Sequence, residues 1–148
     1  MKKTLQISSL TLVFLFSMFI QAHPTEVPSK KTKTYVLVHS AWLGAWQWQQ
    51  VAQTIETAGH TVITPDLAGH GSDKTPASDI TMETYVNQLL AILDSQQEKV
   101  VLVGHSFNGI TVSRVAELRP KKIDCLVYLT WEENFEAILE TLDELVKA

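Results

Sequence analysis

With a single cysteine, Cys125, the chain of 148 residues cannot close an internal disulfide, and a lone thiol in an apolar stretch reads as a small buried hydrophobe. Basic charge is scarce too. Twelve Lys and Arg face sixteen Asp and Glu, for a net charge of −4, and nothing in that balance points to nucleic acid. Long apolar runs are missing. The stretch Leu10 to Ile20 spans 11 residues and is diluted by Thr11 and Ser17, whereas a membrane helix needs about 20 predominantly apolar residues. No internal repeat and no low-complexity tract interrupts the chain. The shortage with most chemical consequence is of late histidines: the five are His23, His39, His60, His70 and His105, and none follows position 105.

What is present begins with a leader. Lys2 and Lys3 precede the short apolar run and Gln21-Ala22-His23 follows it, the pattern of a secretory signal over residues 1–22, cleaved after Ala22. The mature protein is then expected to be secreted or periplasmic, with no stable membrane insertion. Residues 23–33 are polar, carry Pro24 and Pro28, and read as a linker.

From residue 34 onward apolar and amphipathic segments alternate. Strands are expected near 34–39, 60–65, 99–104 and 123–130, and helices near 45–58, 82–95 and 107–118. That order predicts the α/β class, with a parallel sheet flanked by helices and joined by right-handed crossovers. Beyond it, Trp131, Phe135, Ile138, Leu139, Leu142, Leu145 and Val146 recur at spacings of three and four, with carboxylates between them. Residues 131–148 are expected to form an acidic amphipathic helix, opened by a capping box of Thr130 and Glu133.

The run Val100 to Gly109, VVLVGHSFNG, places Ser106 between an apolar strand and a helix start. A serine at such a turn stands at the carboxyl edge of a sheet, where a helix N-terminus favours developing negative charge. Gly104-His-Ser106-Phe-Asn108 matches the nucleophile-elbow pattern G-x-S-x-G except at Asn108, and Gly109 comes one place late. An ordinary joint with an N-capping serine fits these residues equally well. Two further segments separate the readings: HSAWLGAWQW from His39 to Trp48, and PDLAGHGSD from Pro65 to Asp73. With the elbow they stand in the order and spacing of the α/β-hydrolase superfamily, which residues 34–130 resemble. The nearer likeness is to the branch of small carboxylesterases, plant methyl-ester hydrolases and hydroxynitrile lyases.

That resemblance implies a serine hydrolase of small esters. Ser106 would be the nucleophile, and the backbone N–H groups of Ala41 and Phe107 the oxyanion hole. Ser40 and Trp42 would meet substrate, although a serine in a tight turn is an equally good account of Ser40. His39 would brace the oxyanion loop and His70 a surface loop, while Trp46 and Trp48 are expected to pack on the sheet. No cofactor and no metal is implied, and the partner is a small-molecule ester. A complete fold of this type takes about 200 residues or more, so the likeness is to its N-terminal part, through the fourth parallel strand. In this family the acid and the histidine of the triad follow the serine, and here no histidine does. A catalytically incomplete fragment, a binding module on the same fold and a lyase-like enzyme are the alternatives. An open fourth strand also predicts self-association.

Overall fold

Tyr35 and Leu37 face one side of their strand, Val36 and Val38 the other, and all four are fully buried. A strand whose two faces are both buried belongs inside a parallel sheet covered on both sides. The computed structural model describes residues 31–130. Apart from Lys31 these belong to one compact unit. The expected leader, most of the linker and the acidic helix at 131–148 lie outside the described residues.

Four strands form one parallel sheet in the order β2-β1-β3-β4: β1 (Thr34–Val38), β2 (Thr61–Ile63), β3 (Val100–His105) and β4 (Ile123–Leu129). Three α-helices fill the crossovers: α1 (Gln49–Thr57), α2 (Met82–Ser95) and α3 (Asn108–Leu118). α1 packs Val51 and Ile55 with Trp48 against Tyr35, Leu37, Val101 and Val103. α2 and α3 cover the opposite face, where Val86, Leu89, Leu93, Val112 and Val115 meet Val36, Val38 and Leu102. The strand period of two thus divides the apolar residues between two cores.

Three expectations need correction. β2 is shorter than the expected strand at 60–65, because Pro65 has no N–H to give to a ladder and the residue before it is restricted as well. The helix expected from residue 45 opens as a 3₁₀ turn, Ala45–Trp48, and becomes α-helical only at Gln49. That turn separates the two tryptophans: Trp48 joins Val51 and Ile55 in the core at 1% exposure, while Trp46 keeps 63% of its surface in solvent. Trp46 therefore does not pack on the sheet.

Candidate active site

Both loops that matter leave the sheet at its carboxyl edge, the position where open α/β sheets bind ligands. The first follows β1 and carries His39 to Gly44; the second is the turn from β3 into α3. Ser106 occupies that turn with φ 53° and an exposed side chain. A left-handed conformation costs a non-glycine residue about 1–2 kcal/mol, so the surroundings must hold it. They do so with two backbone bonds: the Ser106 N–H donates to the Leu129 carbonyl at 2.8 Å, and the Gly109 N–H donates to the Ser106 carbonyl at 2.9 Å. The capping alternative is not what the turn adopts. Phe107 is the N-cap of α3, no side chain caps it, and a capping serine would sit in extended backbone.

Asn108, the departure from the glycine pattern, has a definite place. It is buried, its Nδ2 donates to the His39 carbonyl at 2.6 Å, and its Oδ1 accepts from Thr111 Oγ1 at 2.8 Å. The close approach of helix and strand falls instead on Gly104, where a Cβ would run into Val112. Gly109 has room, since a Cβ there would meet Tyr128 at 3.5 Å. Asn108 therefore does not loosen the packing; it ties α3 to the end of β1.

The loop after β1 is pinned from several sides. The Ser40 N–H donates to Gln47 Oε1 at 3.0 Å, and Gln47 Nε2 also bonds His105 Nδ1. His39 is fully buried and uses both ring nitrogens. The Leu67 N–H, which can only donate, reaches Nε2 at 3.1 Å, so the ring hydrogen sits on Nδ1, 2.8 Å from the Ser40 carbonyl. Burial pushes His39 and His105 below the ordinary histidine value. Asp66 holds the neighbouring turn: its carboxylate accepts from the Ala45 N–H at 2.6 Å and from the Ser72 N–H and hydroxyl at 2.8 and 2.7 Å, and those bonds lower its pKa, Ala45 most. Gly71 is a glycine because a Cβ there would collide with that carboxylate, and its φ of 55° favours glycine as well.

The expected site residues fall as follows. Ala41 and Phe107 line one cleft of ≈ 360 Å³ together with Trp42, His70, Tyr85 and Asn108. Among the described residues, neither the Ala41 nor the Phe107 N–H has a hydrogen-bond acceptor, so both are available to a ligand. Trp42 lines the cleft rim with φ 68° and 93% exposure. Ser40 lies behind the cleft at 1% exposure, with its hydroxyl donating to the Ala41 carbonyl at 3.3 Å. His70, expected at the surface, is a cleft residue: its ring packs between those of His39 and Tyr85, with centroids 4.9 and 5.7 Å away. The position of His70 in a loop after β2 was a usable signal. Tyr85 carried none, being one more apolar-period residue of α2. No described histidine is hydrogen-bonded to Ser106. Among the described residues no cluster of three or more metal-binding side chains occurs and no helix is long and apolar enough to cross a membrane.

A parallel α/β sheet with a strained, exposed serine at a strand-to-helix turn and free backbone N–H groups beside it defines the class of nucleophile-elbow proteins. The model of the alpha/beta hydrolase family matches residues 35–142, and the chain belongs to that family. Methylesterase 1 of Arabidopsis thaliana is 44% identical over 105 residues, which are 68% of this chain and 40% of the relative. Alpha-hydroxynitrile lyase of the same plant is 41% identical over 98 residues, 64% of this chain and 38% of the lyase. The crystal structure of polyneuridine aldehyde esterase superposes with a TM-score of 0.65 at 32% identity, over 78% of this chain and 48% of that one. The chain spans about 40% of the length of the curated relatives it matches.

Proposed function

We propose that the chain carries the nucleophile and oxyanion part of a serine carboxylic-ester hydrolase acting on small esters. The observation that carries this reading is the geometry of Ser106, left-handed and exposed beside a cleft onto which Ala41 and Phe107 open. The esterase names of its relatives support it. Ser106 Oγ attacks the ester carbonyl carbon, the two N–H groups stabilise the oxyanion, and the alcohol departs with a proton. Water then releases the acid from the acyl-serine. Removing the Oγ proton needs a base. His39 has both nitrogens engaged, and among the described residues neither His105, bonded to Gln47, nor His70, bonded to Ala68, is hydrogen-bonded to Ser106. On this reading the base lies outside residues 31–130, and without it attack by Ser106 is slow.

The test uses protein recovered from the periplasm or medium, whose first residue should be His23 if the leader is cleaved as residues 1–22 suggest. A fluorophosphonate should label it slowly, and hydrolysis of a short-chain aryl ester should run little above background, with both signals lost in Ser106→Ala. Labelling that survives Ser106→Ala overturns the nucleophile assignment. Rapid stoichiometric labelling of Ser106 overturns the missing base.

A further inference from the structure

The two peptide units that join His39 to Ala41 carry four polar groups, and three of them are taken. In the first unit Asn108 Nδ2 donates to the His39 carbonyl at 2.6 Å, and the Ser40 N–H donates to Gln47 Oε1 at 3.0 Å. In the second the Ser40 carbonyl accepts from His39 Nδ1 at 2.8 Å and from the Leu43 N–H at 3.4 Å. The fourth group is the Ala41 N–H, which has no acceptor among the described residues and belongs to the cleft that Ala41 and Phe107 both line. A trans peptide unit is planar with its C=O and N–H on opposite sides, so bonds to both groups of the first unit stop it from turning. Both bonds lead to the elbow. Gln47 passes its other end, Nε2, to Nδ1 of His105, the residue before Ser106, and Asn108 is the residue after Phe107. The Asn108 carboxamide cannot turn over, because its Oδ1 accepts from Thr111 Oγ1 at 2.8 Å while the His39 carbonyl can only accept.

Packing does not explain the carboxamide at 108. The close approach of α3 to β3 is met by Gly104, and a buried amide has to be bonded at both ends merely to offset its lost water. Resting on the esterase reading above, we propose that Gln47 and Asn108 are positioning residues. They tie the loop after β1 to both flanks of the Ser106–Phe107 pair, and so fix the Ala41 amide relative to the Phe107 amide. One oxygen has to meet both N–H groups, and the two are carried by separate loops. Oxyanion donors work only where they already point at the forming charge, and a displacement of about 1 Å costs on the order of a hundredfold in rate. Gln47 and Asn108 act through the 39–40 peptide and leave the reacting atoms to Ser106, Ala41 and Phe107.

The experiment treats the full chain with a fluorophosphonate over a range of concentrations, which separates the rate of the bond-forming step from the affinity that precedes it. The reaction joins Ser106 Oγ to phosphorus, expels fluoride, gives the serine proton to solvent and leaves a phosphoryl oxygen where the oxyanion would sit. In the adduct the Ala41 and Phe107 amide protons should both move downfield in the NMR spectrum. Gln47→Leu, and Asn108→Gly, which restores the glycine of the elbow pattern, should each slow the bond-forming step about tenfold while affinity stays within about twofold. The Ala41 shift should shrink in both variants and the Phe107 shift should stay. Gln47→Glu keeps an acceptor for the Ser40 N–H and can take a hydrogen from the other tautomer of His105, so it should recover most of the rate. Rates and shifts unchanged in both variants overturn this inference and leave the esterase reading standing, and so does a slower step with the Ala41 shift intact. An adduct of the parent chain in which the Ala41 amide does not move overturns it whether or not the variants fold. A Ser106 that forms no adduct overturns the esterase reading together with it.

Discussion

His39 is an imidazole enclosed by its own loop, and its titration has a readable consequence. Burial holds the folded-state pKa of His39 and of His105 below the unfolded value of about 6.5. Between those values the unfolded chain binds protons that the folded chain refuses, so stability rises with pH across that window. The contribution is complete above about pH 6.5 and is lost as the pH falls toward the folded-state values. Asp66 and Asp73, the latter held at about 2, act in the same direction but only once the pH drops below the ordinary carboxylate value of about 4. The melting temperature should therefore fall between about pH 7 and pH 5.5, before any carboxylate titrates, and His39→Gln should shrink the fall. A melt indifferent to pH over that interval contradicts the assignment of His39 as a neutral buried brace.

The tryptophans that open the α1 crossover make the same point at the scale of an element. The 3₁₀ turn rotates Trp46 away from the core and leaves Trp48 on the stripe with Val51 and Ile55. Trp48→Ala should cost about 3–5 kcal/mol, while Trp46→Ala should fall within about 0.5 kcal/mol of the parent. Urea midpoints of the two variants measure this, and equal losses would contradict the packing described. Elements of this chain were legible where a period runs unbroken: the strands β1 and β3 and the helix α2 stand where apolar spacing puts them. Trp46 was not, because apolar spacing over four residues does not tell a 3₁₀ turn from an α turn at residues 45–48. The strand-to-helix turn at Ser106 and the loop after β1 were legible as segments, and both leave the sheet at its carboxyl edge. Long-range partners were not: Asn108 could be seen as a departure from a glycine pattern, and only the fold brings it to the His39 carbonyl.

For the whole molecule, the sheet order leaves β4 paired on one side only, with β3, among the described residues. An open parallel edge presents a row of unpaired backbone groups. Near it Ile110 and Tyr128 keep 60% and 53% of their surfaces exposed. The chain should therefore self-associate, with a sedimentation coefficient that rises with concentration over the micromolar range. A compact monomer at every concentration, melting in one sharp transition, contradicts this.

The peptide joining His39 to Ser40 is gripped on both of its polar groups by side chains of distant elements, Asn108 on the carbonyl and Gln47, itself bonded to His105, on the N–H. Its owners divide between two stretches of chain, 39–47 and 105–108, with nearly sixty residues between them. Recombination between relatives at any point in that interval would separate them. A chimaera could then take a sound β1 loop from one parent and a sound elbow from the other and still misplace the Ala41 amide relative to Ser106. Positions 39, 47, 105 and 108 thus form a unit of inheritance, to be grafted together or left alone.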